Sequence, residues 1–482
     1  MLTPLRHKLS DIVAGAVLIR PKPSGATTTL AANAAANATT LTLTSATGFH
    51  DNDPVLVGSE EDAELVIQDG APSGADVTLD APGLKRAHLT GETVREAIAY
   101  DLGSVINVRD ASAADVSDIE TDTARNPTGR LVGHLMFQPQ FDLQGWHPTY
   151  WALLTGMPLA RVLGAGSAAD PTQVHTDGTE FGREDSALVL SELLADGSFL
   201  RHEFDACSPD YTQLTIAFGQ GRATSLPARF HAANYGHHRS AALGCLIDYT
   251  LQAKKAAQLE TLLEAGLFTV NGSGLSTTLI AETVKDENTF DLAAATGVAA
   301  GKWYLVEGGG KQQVLWAHAL ASLEMTVRTR AAYTFPAGST VKELTQTPFS
   351  GLKEGTTQFR TGGSVRPIRF DNARVQAGVR PGGALFTLDV QPTARTLENL
   401  RLRLALPASA ISGSSLRPGN LVGTDAPVGW YVSAVRKDTK AALFLGSDCD
   451  NGLEQLEMAM GKADLASVSL AFRNQLVSQL MY

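Results

Sequence analysis

Most of the chain alternates apolar and polar residues with a period of two, the pattern of strands with one buried face. Gln213-Leu214-Thr215-Ile216-Ala217-Phe218 is one such run. Leu456, Met458 and Met460 share one face, and Val468, Leu470 and Phe472 share another. Gly461-Lys462-Ala463-Asp464 lies between them, which predicts a hairpin. Trp430, Val432 and Ala434 predict a strand that Asp438-Thr439-Lys440 turns into Ala442–Leu445. Leu135–Gln138 and Thr387–Val390 predict strands that end at Pro139 and Pro392, because proline is poorly tolerated inside a central strand. Helical spacing is confined to a few places. In Leu251–Ala265, Leu251, Ala256, Leu259, Leu262 and Leu263 fall on one helical face and Gly266 is placed as the stop; Lys8–Ala14 reads alike. Pro148–Leu154 has proline in its first turn and Gly156 after its end. Ala394–Leu404 fits a helix, but Leu400, Leu402 and Leu404 equally alternate as a strand.

Set against itself at a shift of about 250 residues, the chain matches in the same order from end to end. Lys8–Val17 lines up with Leu259–Phe268, and Thr40–Phe49 with Thr289–Val298. The apolar runs Pro54–Val57 and Trp303–Val306 follow, then Gly91–Glu96 and Gly338–Glu343. Phe137-Gln138-Pro139 falls on Val390-Gln391-Pro392. Glu203–Phe218 falls on Glu457–Phe472, with Glu203, Asp210, Ala217 and Phe218 identical to Glu457, Asp464, Ala471 and Phe472. Each match is weak, and their collinearity predicts a tandem duplication into Met1–Thr250 and Leu251–Tyr482.

Within each half one block stands apart. Leu41–Thr44, Val55–Val57, Glu64–Ile67 and Val77–Leu79 are short strands among Gly and Asp turns, which predicts a small β-barrel. The expected division is a first β domain over 1–36 and 97–250 with a small module at 37–96. The second is a β domain over 251–287 and 344–482 with a module at 288–343. Ser24–Thr39, rich in Ala, Thr and Asn, reads as a linker.

The net charge of −11 argues against a phosphate-binding surface, which needs clustered Lys and Arg. Cys207, Cys245 and Cys449 are too few and scattered for a disulfide framework and read as buried thiols in a reducing compartment. No apolar run has the length of a membrane helix, and Ile12–Ile19 is too short and badly flanked for a signal peptide, so a cytoplasmic protein is expected.

Candidate chemistry is thin. His231, His237 and His238 form the most metal-like cluster, but neighbours point to opposite sides of a strand and no Cys or carboxylate follows at ligand spacing. His202-Glu203 opens like a zinc-protease helix, yet Ala206 stands where the second His belongs. Gly308-Gly309-Gly310-Lys311 is faintly like a phosphate loop, but Leu305 and Gln312 fail its pattern, and a tight hairpin turn is expected. Glu60-Glu61 lies in a turn-like segment, and there is no Gly-x-Ser-x-Gly elbow. No catalytic, cofactor-binding or metal residue is therefore assigned, and the expectation is a protein that is not an enzyme and carries no cofactor.

The short modules, with Thr40–Gly48, Pro54–Val57, Glu64–Ile67 and Val77–Leu79, resemble accessory β modules of tailed-phage structural proteins. The core of each half, with a strand followed by a short helix of the type Trp146–Gly156 and alternating hairpins, resembles the tail tube protein family of long-tailed phages, in a tandem-duplicated form. The resemblance implies a mainly β fold of two tandem tube-like sandwich or barrel domains, each with a short helix and a small inserted barrel. It implies a structural virion protein, assembled in the host cytoplasm and located in the phage tail. Three chains would form a pseudo-hexameric ring, or six a hexameric one, and the rings would stack around a tape-measure protein beside other tail proteins. DNA would pass through the lumen during ejection without specific binding, and no membrane is involved. Phe199–Ala206 with Thr212–Phe218, and Leu453–Met460 with Leu465–Phe472, are the hairpins expected to close the inner barrel. Loops Asp110–Arg130 and Gly362–Gly382 are expected at ring-to-ring contacts. The alternatives are a distal-tail, baseplate or capsid-decoration protein and, from another class, an enzyme or carbohydrate-binding module.

Overall fold

The computed structural model describes residues 7–8, 14–51, 53–59, 62–80, 83–110, 113–119, 129–143, 145–177, 186–193, 199–210, 215–219, 226–241, 246–247, 259–348, 372–380, 383–390, 411–412, 415–416, 427–436, 440–450 and 470–482. The fold is mainly β and its strand pairs are antiparallel. The N-terminal half begins with His7–Lys8 (β1) and Ala14–Pro21 (β2). Short strands follow at Thr27–Thr29 (β3), Thr40–Thr42 (β4), Pro54–Val57 (β5), Glu64–Ile67 (β6) and Asp76–Thr78 (β7). Thr93–Asp110 (β8), Ala113–Ile119 (β9), Gly129–Met136 (β10) and Pro139–Leu143 (β11) lead to helix α1, Pro148–Leu154. Thr172–Thr176 (β12), Ser186–Leu193 (β13), Phe199–Pro209 (β14), Thr215–Gly219 (β15), Leu226–Ala241 (β16) and Leu246–Ile247 (β17) complete it.

The C-terminal half opens with Leu259–Val270 (β18), Ser276–Thr278 (β19), Thr289–Asp291 (β20), Trp303–Gly308 (β21), Lys311–Ala321 (β22), Glu324–Val327 (β23) and Thr340–Pro348 (β24). It continues with Asn372–Arg380 (β25), Gly383–Val390 (β26), Ile411–Ser412 (β27), Ser415–Leu416 (β28), Gly429–Arg436 (β29), Ala441–Asp450 (β30) and Leu470–Met481 (β31).

One pairing scheme is built twice. In the first half β13 lies between β2 and β14, β14 pairs with β16, and β16 with β11. In the second, β29 lies between β18 and β30, β30 pairs with β31, and β31 with β26. The small modules agree residue by residue. Val57 faces Val94 as Val306 faces Val341, Leu41 faces Val77 as Phe290 faces Met325, and Pro54 faces Ile67 as Trp303 faces Trp316. The single bridges Leu30–Leu43 and Ala34–His88 recur as Leu279–Leu292 and Thr283–Phe335. In the first half β8 also pairs with β11, so β11, β16, β14, β13, β2 and β8 close into a barrel.

These registers correct parts of the sequence alignment. Leu188 lies between Leu18 and Phe204 as Trp430 lies between Leu267 and Gly446. Leu18 is thus the counterpart of Leu267, whereas the sequence match had set Ala16 there. Glu203, facing Val189, corresponds to Leu445, facing Tyr431, and not to Glu457. Phe137, which bridges to Ala232, corresponds to Phe386 opposite Asn474, and not to Val390. Every slip is by an even number of residues. Such a slip keeps inward residues inward, so the alternation cannot detect it.

The helical expectation for Leu259–Ala265 and the start of Lys8–Ala14 is also overturned: both are strand. The ladder from β18 to β29 shifts register between Leu259 and Thr261 and again between Leu262 and Glu264. Bulges of this kind break the period of two and imitate helical spacing. Gly266 stops no helix. It lies inside β18, where a Cβ would meet the Thr347 carbonyl oxygen at 2.5 Å and the Tyr431 hydroxyl at 2.7 Å. Ser24–Thr39 is no linker either, since Thr27–Thr29 pairs with Arg95–Thr93 and Leu30 is buried. β10 ends at Met136, short of Pro139 as expected, and Pro139 itself opens the next strand, β11. In place of the expected loops, Asp110–Arg130 contains β9 and the start of β10, which pair with each other, and Gly362–Gly382 contains β25. β14 and β15 are strands, but β14 pairs with β13 and β16, while β15 pairs with β25 of the other half. Of the second expected hairpin, only Leu470–Phe472, the start of β31, is described. Ala394–Leu404 lies outside the described residues.

Several expectations agree with the structure. The four module strands are present within a residue or two of their expected bounds. Helix α1 runs from Pro148 to Leu154, with Gly156 beyond it at φ +69°. β29 turns into β30 with Val435 opposite Ala441. Each module has its own buried cluster, around Leu41, Val55, Val77 and Val94 and around Phe290, Tyr304, Met325 and Val341. A larger core runs through both halves, from Leu18, Tyr100, Phe141 and Phe204 past the side chains of α1 to Leu267, Trp430, Phe444 and Val477.

Candidate functional site

The most developed polar construction is the seam where the segment after β11 meets the second half. Local sequence fixes α1: His147 caps it, its Nδ1 accepting the Thr149 N–H at 3.1 Å, and Pro148 occupies the first turn, where an N–H has no helical partner to lose. All seven helix residues are buried, so α1 is a plug between two sheets. On the first-half side, the Tyr150 hydroxyl donates to the Asp101 carbonyl (2.8 Å) and Arg20 donates to the Met157 carbonyl (3.1 Å). On the other side, the Trp146 ring packs tilted against Phe444, centroids 4.9 Å apart, and its indole N–H donates to Gln479 Oε1 (2.9 Å).

The chain then donates strands across the seam. β12 pairs with the end of β31, Thr172 opposite Met481 and Thr176 opposite Val477. β15 pairs with β25, Thr215 opposite Gln376. Buried Gln173 donates to the Arg328 carbonyl (3.1 Å) and accepts the Arg330 N–H (2.8 Å). Arg330 holds Asp170 through two nitrogens, at 3.0 and 2.8 Å, and Arg161 meets Asp286 at 2.8 Å. The Arg330 hydrogen bonds hold the Asp170 carboxyl below its ordinary range. His175 lies against Ser478 Oγ (2.8 Å), and burial, with Arg161 and Arg330 nearby, pushes its pKa down to about 3. At neutral pH it is an uncharged hydrogen-bonding group.

Each module is fastened to its half by a second repeated construction. The Leu65 N–H donates to Asp205 (3.1 Å), as the Val314 N–H donates to Ser447 (2.9 Å). Glu64 accepts the Lys85 N–H (3.0 Å), as Gln313 accepts the Ala332 N–H (2.8 Å). In the first joint Lys85 Nζ reaches Asp205 (2.6 Å) and Glu203 (3.4 Å). His88 lies between Glu92 (2.6 Å) and Glu64 (3.6 Å). Burial opposes the His88 charge, but the two carboxylates outweigh it and its pKa is raised.

The sequence-derived candidates do not converge. His202-Glu203 lies on strand β14. His231 is half exposed, 3.7 Å from Asp210; the side chains of His237 and His238 lie outside the described residues, as does Glu60-Glu61. Gly308–Lys311 is a two-residue hairpin between β21 and β22, with Gly309 and Gly310 at φ +61° and +74°, the geometry of a type I′ turn. Cys207 is buried and burial pushes its thiol up; the Cys245 and Cys449 side chains are not among those described.

One group of possible metal ligands is present among the described residues: His50, Asp53 and Glu96, with ligand atoms within 4.8 Å of one another. Lys22 is already bonded to Glu96, and burial and Glu96 together raise the Asp53 pKa. In the second module Lys302, the counterpart of Asp53, reaches the equivalent Glu343 at 2.8 Å. In both modules the buried carboxylate is thus neutralised by a lysine.

Sequence reading missed the seam residues Trp146, Asp170, Gln173 and Arg330. A signal was available only for the register between the halves: Cys207 and Cys449 occupy equivalent places opposite Ala232 and Asn474 and would have set β14 on β30. No helix among the described residues is long and apolar enough to cross a membrane. No protein-family model matches the chain, and no curated protein matches it.

Proposed function

We propose that this chain is a ring-building structural subunit of a long phage tail tube. The reading rests on one observation: a single strand-pairing scheme is built twice, and the copies are joined by strands β12 and β15 of the first added to the sheet of the second. A subunit of this kind occupies two successive, similar positions of a closed ring. Three chains then present six such positions, and stacked rings enclose a bore for a tape-measure protein and later for DNA. An acidic protein suits a wall that DNA must slide past. The reading uses no catalytic residue, cofactor or metal.

Negative-stain imaging of the purified full chain tests it. Stacked rings with a central bore are expected. Single rings that never stack would make it a distal-tail or baseplate part. Small compact oligomers without a bore would indicate a capsid decoration.

A further inference from the structure

The second half receives two strands that the first half lacks. Along β31, β26 covers Leu470–Asn474 and the donated β12 covers Val477–Met481. Along β25, β26 lies on one edge and the donated β15 on the other. The matching places in the first half follow from the registers. β16 takes the place of β31: β11 covers Leu226–Arg229 and Phe137 bridges Ala232. Tyr235–Ala241 stands where Val477–Met481 does, and among the described residues no strand pairs with it on the edge opposite β14. The far end of β8, Val105–Asp110, pairs with β11 as β25 pairs with β26. Among the described residues its other edge has no strand.

That second place carries an independent mark. Ile106 and Val108 are each 41% exposed, two of the few large apolar side chains left in solvent among the described residues. A bare edge bearing β-branched residues is a template for another strand unless something covers it. For the first place, the Tyr235–Ala241 edge that corresponds to the one β12 covers, the chain also has a stretch in the equivalent position. The sequence 391–428 joins β26 to β29 as 144–185 joins β11 to β13, and 144–185 is the stretch that supplies α1 and β12 to the seam within the chain.

We infer that the two first-half edges without a partner strand among the described residues, Val105–Asp110 of β8 and Tyr235–Ala241 of β16, receive strands from the second half of another copy of this chain, repeating between chains the seam that β12 and β15 make within one. The inference rests on the ring reading above and specifies which edges close the ring. The contact is heterologous, since first half meets second half, so it propagates around a ring instead of ending at a pair.

Hydrogen–deuterium exchange on the full chain, dilute and assembled, tests it directly. Assembly is expected to slow exchange at least tenfold in peptides covering 105–110 and 235–241, with little change in Ser186–Leu193, which is already paired on both edges. The variant Ile106→Lys/Val108→Lys places charges at exposed positions and is expected to keep the wild-type melting temperature within a few degrees. It should raise the concentration needed for assembly more than tenfold. Rings that form without new protection at either edge overturn both edges, and an assembling double-lysine variant overturns the β8 edge, each leaving the ring reading intact. A wild-type chain that stays monomeric at every concentration overturns both.

Discussion

The two module joints are one backbone device carried out in two chemistries. Residues 65 and 314 donate the same N–H across the joint, and residues 64 and 313 accept the same backbone N–H from the loop above. Around this frame the first joint is ionic, with Lys85, Glu203 and Asp205. The second has Ala332, Leu445 and Ser447 in those places. What the fold keeps is the satisfaction of buried backbone groups, because an unpaired one costs about 1–3 kcal/mol wherever it occurs. What it leaves open is whether the neighbouring volume is filled by an ion-paired cluster or by small and apolar groups, alternatives that are close in free energy when each is complete.

The sharpest way to break the comparison is to leave one chemistry incomplete. Lys85→Ala strands Glu203 and Asp205 in a buried site and should cost about 3–5 kcal/mol, read by denaturant unfolding and by faster amide exchange in the first module. Completing the other chemistry, with Lys85→Ala/Glu203→Leu/Asp205→Ser, should recover most of that loss. A triple variant no better than the single one would show that the joints are not interchangeable.

A smaller effect is expected at the seam. Gln173→Ala leaves the Arg328 carbonyl and the Arg330 N–H without their partner and should lower stability by about 2 kcal/mol. The cross-strand pair Leu188–Phe204 has become Trp430–Gly446 in the second copy. A Cβ on Gly446 would lie 2.1 Å from the Trp430 indole nitrogen, so Gly446→Ala should cost about 1–3 kcal/mol by overpacking. Thermal melts of the two variants rank them.

The gentlest test is pH. His88 has a raised pKa in the folded joint, so its contribution is complete below its ordinary 6.5 and is lost as pH rises through the raised value. His175 is depressed from 6.5 to about 3, so the unfolded chain takes up its proton first and the seam weakens as pH falls from 6.5 towards 3. Local exchange at pH 5, 6.5 and 8 should therefore loosen the seam on the acid side and the first joint on the alkaline side. His88→Phe, which copies Phe335 of the other module, should abolish the alkaline change and leave the acid one.

Much of this was written in the chain. The β class, the module strands, helix α1 with its proline start, and the Gly309-Gly310 turn all follow from local rules about alternation, capping and positive φ. The repeat was legible too, but its register was not, because even slips leave alternation unchanged; only the ladders place Glu203 with Leu445 and Phe137 with Phe386. Bulges in β18 disguised a strand as a helix. Partners distant in sequence were invisible: nothing near Thr215 announces Gln376, and nothing near Thr172 announces Met481. Local sequence determines which backbone conformation each segment prefers, since that depends on a few neighbouring residues. Which edge a strand finds depends on the whole three-dimensional arrangement of competing edges, and only the tertiary structure decided that here.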